Sequence, residues 1–378
     1  MKKIKVAFCL RDMQLGGVES VLIRTLDKLS DYKNIDIQII TYVNIKEPIF
    51  IDYFKKHPNI KCFSLYPCSW LSTKLPHFFL WRLCIHFLRD VYRKIRRLFV
   101  VHEFKDIDVF VDYHDFGFYD ELKHVKDAKK IAWFHSSLDI FIKRKFINKI
   151  DIYDNIVVLT DEFIDSFNNV YPNQKNKLIR IYNPIDVENI KKQADKKKST
   201  IKGNYFCCVS RLTPDKDIET LLHGFDMFWN SNAHPDVKLV IVGDGNKKSE
   251  YERYAKKLKS AKQIIFVGAK KNPFVYMKHA IANVLSSYSE GLPTVLLESA
   301  VVGTLNIASK CRFGPREILL NGRGGVLFEP GNAKQLAMCM GDVYNNSVNV
   351  TEMIKESTDA LKRFKADEVV NQIISLFS

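Results

Sequence analysis

Glu290 and Glu298 stand eight positions apart in SEGLPTVLLESA, one on each side of a Gly-Leu-Pro turn. A carboxylate accepts hydrogen bonds from two neighbouring hydroxyls, so each glutamate suits a sugar diol. The turn residues Gly291 and Leu292 lead into an apolar run, and Pro293 suits the first turn of a helix. At that helix start the amides of Thr294 and Val295 suit a phosphate. Carboxylate, anion site, carboxylate is the order of sugar, diphosphate and ribose in a nucleotide sugar. Upstream, VSRLTPDKD sets Arg211 and Lys216 between a strand and a helix. Arginine brings a planar fork and lysine a point charge, and together they match a diphosphate. Nearer the N-terminus, QLGGVES places Gly16 and Gly17 between the first strand and a helix, where a bare backbone approaches a ligand and free N–H groups face an anion. It lacks the third glycine of a dinucleotide fingerprint.

Positioning these residues requires strands that end beside helix starts. Apolar runs with strand character recur: KVAFCL, DIQIITY, DVFVDY, KIAWFH and NIVVLT, then YFCCVS, KLVIVG, QIIFVG, NVLSS and LNIAS. Helical patterns fall between them, for example Glu19 to Ser30 and Ile218 to Trp229. Alternation of this kind specifies α/β architecture with doubly wound parallel sheets. A chain of 378 residues exceeds one compact core. The polar, lysine-rich stretch Glu188 to Asn204 reads as a connector. The expected organisation is a Rossmann-like domain over 1–186, a linker over 187–203 and a second Rossmann-like domain over 204–360. A C-terminal helix, 361–378, is expected to pack back on the first domain. Such sheets bind ligands at the carboxyl ends of their strands, so the two domains are expected to face a cleft.

The formal net charge of +15 points to an anionic partner: nucleic acid, an acidic membrane or a phosphorylated substrate. No nucleic-acid reader motif accompanies the charge. The eight cysteines form no CxxC pair and read as reduced, buried thiols of a cytosolic protein. The apolar run in MKKIKVAFCLRD is too short for a signal peptide, and no uncharged stretch is long enough to span a bilayer. Between Phe78 and Phe99, Trp81, Ile85, Leu88, Tyr92, Ile95 and Phe99 recur at helical spacing. Arg89, Arg93, Arg96 and Arg97 lie mainly off that stripe, a basic amphipathic helix suited either to core packing or to an anionic membrane. Asp106 and Asp108 spell D-x-D but begin a strand, and no acidic or His/Cys cluster has metal-ligand spacing, so neither a metal nor another cofactor is expected.

The ordered set GGVES, FHSS, NPID, VSRLTPDKD, LVIVGDG, IIFVGAKKN, SEGLPTVLLESA and FGPREILLNGRGGVLFEPGN resembles the retaining glycosyltransferases of GT-B fold, glycosyltransferase family 4, of the bacterial surface-polysaccharide type. That resemblance implies a UDP-sugar donor and a glycan or lipid-linked glycan acceptor, with transfer at the cytoplasmic face of the inner membrane. It also implies that Glu290 contacts the donor sugar, Glu298 the ribose, and Arg211 with Lys216 the leaving diphosphate. The loop of Gly268, Ala269 and Lys270 would cradle the base, and His135 would lie near the donor sugar. Three departures stand out. Arg312 and Phe313 replace a Pro-Ser pair, Asp217 replaces the glycine after the phosphate lysine, and Gly303, Thr304, Leu305 and Asn306 replace Gly-x-Pro-Val. A nucleic-acid-binding protein and a GT-B epimerase or phosphorylase are the competing readings.

Overall fold

The computed structural model describes residues 3–14, 16–66, 104–174, 177–196, 201–232 and 236–377, and between 67 and 103 only residues 85, 87–89, 91, 92 and 94–96. The chain forms two compact units: Met1–Val158, Ser166–Ile181 and Val370–Ser378 make the first, Leu159–Asp165 and Tyr182–Val369 the second.

The first unit holds β1 (Ile4–Leu10), β2 (Ile35–Thr41), β3 (Lys61–Ser64), β4 (Val109–Asp112), β5 (Lys129–Trp133), β6 (Asn155–Val158) and β7 (Leu178–Arg180). They pair in the order β3-β2-β1-β4-β5-β6-β7, every pair parallel. Val6 to Leu10 of β1 are wholly buried. A central parallel strand is covered on both faces, which is why its sequence is an unbroken apolar run. The second unit holds β8 (Tyr205–Val209), β9 (Lys238–Val242), β10 (Ile264–Phe266), β11 (Ala282–Leu285), β12 (Leu305–Ser309) and β13 (Val326–Phe328). Their order is β10-β9-β8-β11-β12-β13, again parallel throughout. In each sheet the chain reverses direction of travel between the first and fourth strands, β1 beside β4 and β8 beside β11. The loops leaving those neighbours diverge and open a crevice at their carboxyl ends.

Packing follows from periodicity. The Ile218–Asn232 helix turns Leu221, Leu222, Phe225 and Phe228 onto the second sheet, all fully buried beside Phe206, Leu239 and Ile307. Each contributes about 1.5–3 kcal/mol of transfer free energy. Asp217 precedes this helix and its carboxylate accepts the Thr220 N–H at 3.3 Å. Asn283 and Asn306, partners in register across β11 and β12, are buried in that sheet. Asn283 Nδ2 donates to Asn306 Oδ1 at 3.0 Å, and Asn306 Nδ2 donates to the Leu296 carbonyl at 2.9 Å.

Several expectations require correction. The edge strands β3, β7 and β13 were not anticipated, since runs of three or four residues are too short to show alternation. The stretch read as a connector contains a helix, Val187–Asp195, capped by Asp186 and anchored by buried Ile190 and Ala194. Cys9, Cys207, Cys208, Cys311 and Cys339 are buried and free, but Cys62 on the edge strand is exposed, and Cys68 and Cys84 lie outside the described residues. Of the basic helix, Trp81, Arg93, Arg97 and Phe99 also lie outside them. The described part departs from the expected segregation of faces. Arg89 is buried and Arg96 Nε donates to the Leu65 carbonyl at 3.2 Å, whereas Phe87, Leu88 and Ile95 are 68%, 57% and 53% exposed. A guanidinium carries five donors, and Arg96 uses one of them on a backbone carbonyl, a contact that helical spacing alone does not show. Asp106 and Asp108 serve the fold: Asp108 accepts the Lys5 N–H at 2.8 Å and Asp106 pairs with the Lys5 ammonium at 3.8 Å.

Candidate active site

In the second unit, the loop after β8 lies against the loop after β9. Ser210 N donates to the Val242 carbonyl at 3.1 Å and Leu212 N to the Asp244 carbonyl at 2.9 Å. A Cβ at Gly243 would stand 1.8 Å from the Ser210 oxygen, and one at Gly245 would stand 2.4 Å from that of Leu212. Only glycines allow this approach, which fixes the backbone carrying Arg211. The Arg211 side chain is exposed and makes no hydrogen bond or ion pair among the described residues. Lys216 follows in the turn Pro214–Lys216, which ends at Asp217 with φ +48°. The family's glycine position is thus kept in its left-handed conformation by an aspartate, a residue that tolerates it.

Glu290 arrives from the neighbouring strand β11. Its Oε1 stands 2.7 Å from Lys216 Nζ and accepts the Ser287 hydroxyl at 2.6 Å. The two side chains are 13% and 11% exposed, and Asp215 lies 3.4 Å from the same ammonium. Further bonds zip the two loops: the Ser286 hydroxyl to the Lys216 carbonyl at 2.9 Å and Tyr288 N to the Asp215 carbonyl at 2.9 Å. The turn through Gly291, Leu292 and Pro293 is braced from behind. Gly314, at φ +98°, packs so closely that a Cβ would stand 2.5 Å from Pro293 Cδ, and Ser289 bridges to Arg312. Beside it Phe313 takes φ +68°, donates its N–H to Glu162 at 3.2 Å and sets its ring 5.5 Å from Phe163. The helix Thr294–Val301 then begins with no side-chain cap, so Thr294 and Val295 carry its open N-terminal dipole. Glu298 sits half-buried on this helix. Gly268, at φ +73°, ends the β10 segment and accepts the Gly243 N–H at 3.1 Å, with Ala269 and Lys270 exposed beyond it.

In the first unit, His135 lies two residues beyond β5, not at its last position. Its ring centroid is 4.7 Å from that of Tyr113 and it stacks on Trp133, with Nε2 buried and without a partner. Burial, helped by nearby His114, lowers its pKa from 6.5 to about 3, so the imidazole is neutral. The loop after β4 holds it. Asp115 and Phe116 both take positive φ, +49° and +61°. The Asp115 carboxylate accepts the His135 N–H at 2.7 Å and a short bond from the Ser136 hydroxyl. This loop was not anticipated from the sequence; its signal was HDFG one residue beyond a strand. Below it Asp112 is fully buried, accepting the Tyr153 hydroxyl at 2.6 Å and the Phe118 N–H at 2.9 Å.

The diglycine is placed differently from expectation. A Cβ at Gly16 would stand 2.6 Å from Glu19 Oε2, so that carboxylate lies against the helix start. Glu19 also faces His114 Nε2 at 3.7 Å. The helix start reserved for an external anion is therefore occupied by the chain's own acid, and Gly17 borders open space. Among the described residues, no three His, Cys, Asp or Glu side chains gather as a metal site, and no helix is long and apolar enough to cross a membrane.

Residues 189–360 match the family model of the glycosyl transferases group 1. This segment is similar to a glycosyltransferase group 1 domain. Arg211, Lys216, Glu290, Glu298 and the Gly268 loop lie within the matched segment, while Gly16, Gly17 and His135 precede it. An uncharacterized glycosyltransferase of Methanocaldococcus jannaschii is 28% identical over 191 residues, 49% of this chain and 46% of that protein. The N-acetylgalactosamine-N,N'-diacetylbacillosaminyl-diphospho-undecaprenol 4-alpha-N-acetylgalactosaminyltransferase of Campylobacter jejuni is 28% identical over 156 residues, 41% of each chain. The chain thus spans less than half the length of these two relatives. The solved structure of Anabaena Alr3699/HepE in complex with UDP superposes with a TM-score of 0.78, covering 98% of this chain and 99% of that one at 16% identity. That likeness is one of fold: two Rossmann-like parallel-sheet domains of the GT-B class.

Proposed function

We infer that the chain is a retaining, metal-independent glycosyltransferase that moves a hexose or N-acetylhexosamine from a UDP-sugar to a lipid-linked or lipopolysaccharide/capsule-type glycan. It would work at the cytoplasmic face of the inner membrane. The observation that carries this reading is the Lys216–Glu290 pair at the crevice between β8 and β11, inside the group 1 domain. A lysine and a glutamate enclosed together, beside an open helix N-terminus and an unengaged arginine, form a site whose charges await a ligand. On binding, the diphosphate takes Lys216, with Arg211 and the amides of Thr294 and Val295 completing its shell. Glu290, released, accepts hydrogen bonds from donor-sugar hydroxyls. Glu298 takes the ribose, and the loop from Gly268 to Lys270 takes the base.

In the reaction the sugar C1–O bond to the diphosphate breaks, and negative charge grows on the leaving oxygen. Lys216 and Arg211 stabilise that charge by preorganised electrostatics. The acceptor oxygen bonds to C1 on the face that the diphosphate leaves, and its proton passes to the departing phosphate oxygen. Supporting the donor class, HepE was solved with UDP and with UDP-glucose. Supporting the acceptor class, the Campylobacter relative is named for transfer to a diphospho-undecaprenol-linked glycan. A thermal-shift screen against UDP-, GDP- and ADP-sugars tests the reading. UDP-sugars should raise Tm most, and turnover should survive excess EDTA; no response to any nucleotide sugar would defeat it.

A further inference from the structure

The first unit contains two cavities that the donor chemistry does not use. The larger, of about 460 Å³, is lined by Arg11, Gln14, Tyr42, Asn44, Glu47 and Tyr66 among others. The smaller, of about 340 Å³, is lined by Arg11, Tyr42, Gly117, Asp120, Glu121 and Lys149 among others. They share Arg11, Tyr42 and Tyr66, so they adjoin, and they follow the carboxyl ends of β1, β2 and β4. Both volumes fall in the range of small-molecule sites.

Their shared wall is rigid. Tyr42 packs on Phe118 with ring centroids 4.5 Å apart and meets Tyr66 edge-on at 5.5 Å. Both tyrosine hydroxyls reach the buried carboxylate of Glu121, at 2.6 and 2.9 Å. That carboxylate is therefore committed to the wall. The other acid of the smaller cavity, Asp120, is held by Lys123 at 2.7 Å. In the larger one, Asp12 accepts Gln14 Nε2 at 2.6 Å, and the second acid, Glu47, shares the lining with Lys46. The cations are placed otherwise. The Arg11 guanidinium makes no hydrogen bond or ion pair among the described residues. The nearby acid Asp115 already holds His135 N–H and the Ser136 hydroxyl. Lys149 lies 5.3 and 5.4 Å over the rings of Tyr119 and Phe146, contacts that position an ammonium while leaving its N–H groups available. Gly117 makes room for this arrangement, because a Cβ there would stand 3.1 Å from Arg11 Nε and 2.8 Å from the His114 carbonyl.

We propose that this paired cavity binds an acidic glycan, the sugar ring against Tyr42 and Tyr66 in the larger part and its phosphate or carboxylate on Arg11 and Lys149 in the smaller. Arginine matches either group with a two-pronged bond. The inference rests on the reading of the chain as a glycosyltransferase and specifies its acceptor: a glycan carrying a negative charge close to the sugar that receives the transfer.

Ligand-observed NMR, with the donor site saturated by UDP, tests it on the full chain with three probes: glucose, glucose 6-phosphate and glucuronate. Wild type should bind at least one acidic probe about tenfold more tightly than glucose, a difference of about 1.4 kcal/mol. The acid preferred identifies phosphate or carboxylate as the natural group. Arg11→Gln and Lys149→Gln should each erase most of that preference. Gly117→Ala should weaken it with both charges still present. UDP affinity, measured on the same samples, should stay unchanged in all three variants and also reports that they fold. Equal binding of glucose and both acids, no binding of either acid, or a preference that survives both charge removals would overturn the proposal. Failure of UDP to bind wild type would instead defeat the glycosyltransferase reading, and the direct titration without UDP would still judge the cavity.

Discussion

Lys216 and Glu290 neutralise each other at 2.7 Å while both are largely enclosed, so removing either leaves a charge without its partner. The two halves of the pair should nonetheless behave differently. Lys216→Ala or Arg211→Ala should lower turnover by roughly 10²-fold or more, the size associated with losing one preorganised charge stabiliser. Rates within a few-fold of wild type in folded protein would take them out of the site. Glu290→Gln should lower transfer as severely and yet leave UDP affinity equal to wild type or higher, since the ammonium then faces only the more exposed carboxylate of Asp215. Glu298→Gln should weaken UDP itself; calorimetry giving identical UDP affinity for that variant would end the ribose assignment. His135 supplies a pH test. Its folded pKa is depressed from 6.5 to about 3 by burial, so the unfolded chain binds the extra proton throughout that window and the fold loses stability as pH falls through it. One such group costs at most about 1.4 kcal/mol per pH unit. Asp112, raised by burial from 3.8 to about 6, acts in the opposite sense over part of the range. Replacing His135 with Asn should therefore make the decline in stability between pH 6.5 and 4 shallower, as read by denaturant titration. An unchanged slope would mean that the imidazole is not held neutral. The meeting of Lys216 with Glu290, 2.7 Å apart, was legible in part, because both residues stand in loops that follow neighbouring strand-like runs. The Asp115–His135 contact was not, because it depends on two left-handed residues and a bond spanning 20 positions.

Glycines carry the next level of organisation. Gly314 and Gly303 both have positive φ, +98° and +77°, but their surroundings differ. A Cβ at Gly314 would press into Pro293, whereas one at Gly303 meets nothing within 4 Å. Gly314→Ala should therefore displace the Glu290 turn, costing about 1–3 kcal/mol of stability from overpacking and most of the activity. Gly303→Ala should carry only backbone strain and leave turnover near wild type. Equal turnover in the two variants would contradict the bracing role of the FGPREIL loop. The main strands were readable because central parallel strands are continuous apolar runs, as in KVAFCL and KLVIVG. Edge strands such as Leu178–Arg180 and Val326–Phe328 draw their identity from a neighbour's backbone and leave little pattern of their own. The Val187–Asp195 helix was hidden for a related reason: the lysines that follow it dominate the composition of the stretch, and only Ile190 and Ala194 mark its buried side.

The net charge of +15 belongs to the whole chain, and it favours anionic surfaces and acceptors alike. Core packing and attachment to an anionic membrane were the two readings drawn from helical spacing between residues 78 and 99. Arg89 is buried and Arg96 is bonded to a backbone carbonyl, so these two contribute less to a surface field than a solvated pair would. The same segment turns Phe87, Leu88 and Ile95 outward. Two components of vesicle binding follow. A general electrostatic one, on the order of 1 kcal/mol per basic residue close to the surface, should fall with salt as screening sets in beyond about 8–10 Å. An apolar one from the exposed side chains should persist, because burial of hydrocarbon does not depend on ionic strength. Co-sedimentation with phosphatidylglycerol vesicles should therefore decline with added salt to a plateau above zero, and vesicles of phosphatidylcholine alone should bind only at that plateau level. The double replacement Phe87→Ser with Ile95→Ser should remove the plateau while keeping the salt-sensitive part and UDP binding. If the variant and wild type sediment equally in high salt, the exposed apolar side chains do not enter the bilayer, and any attachment of this chain rests on charge alone.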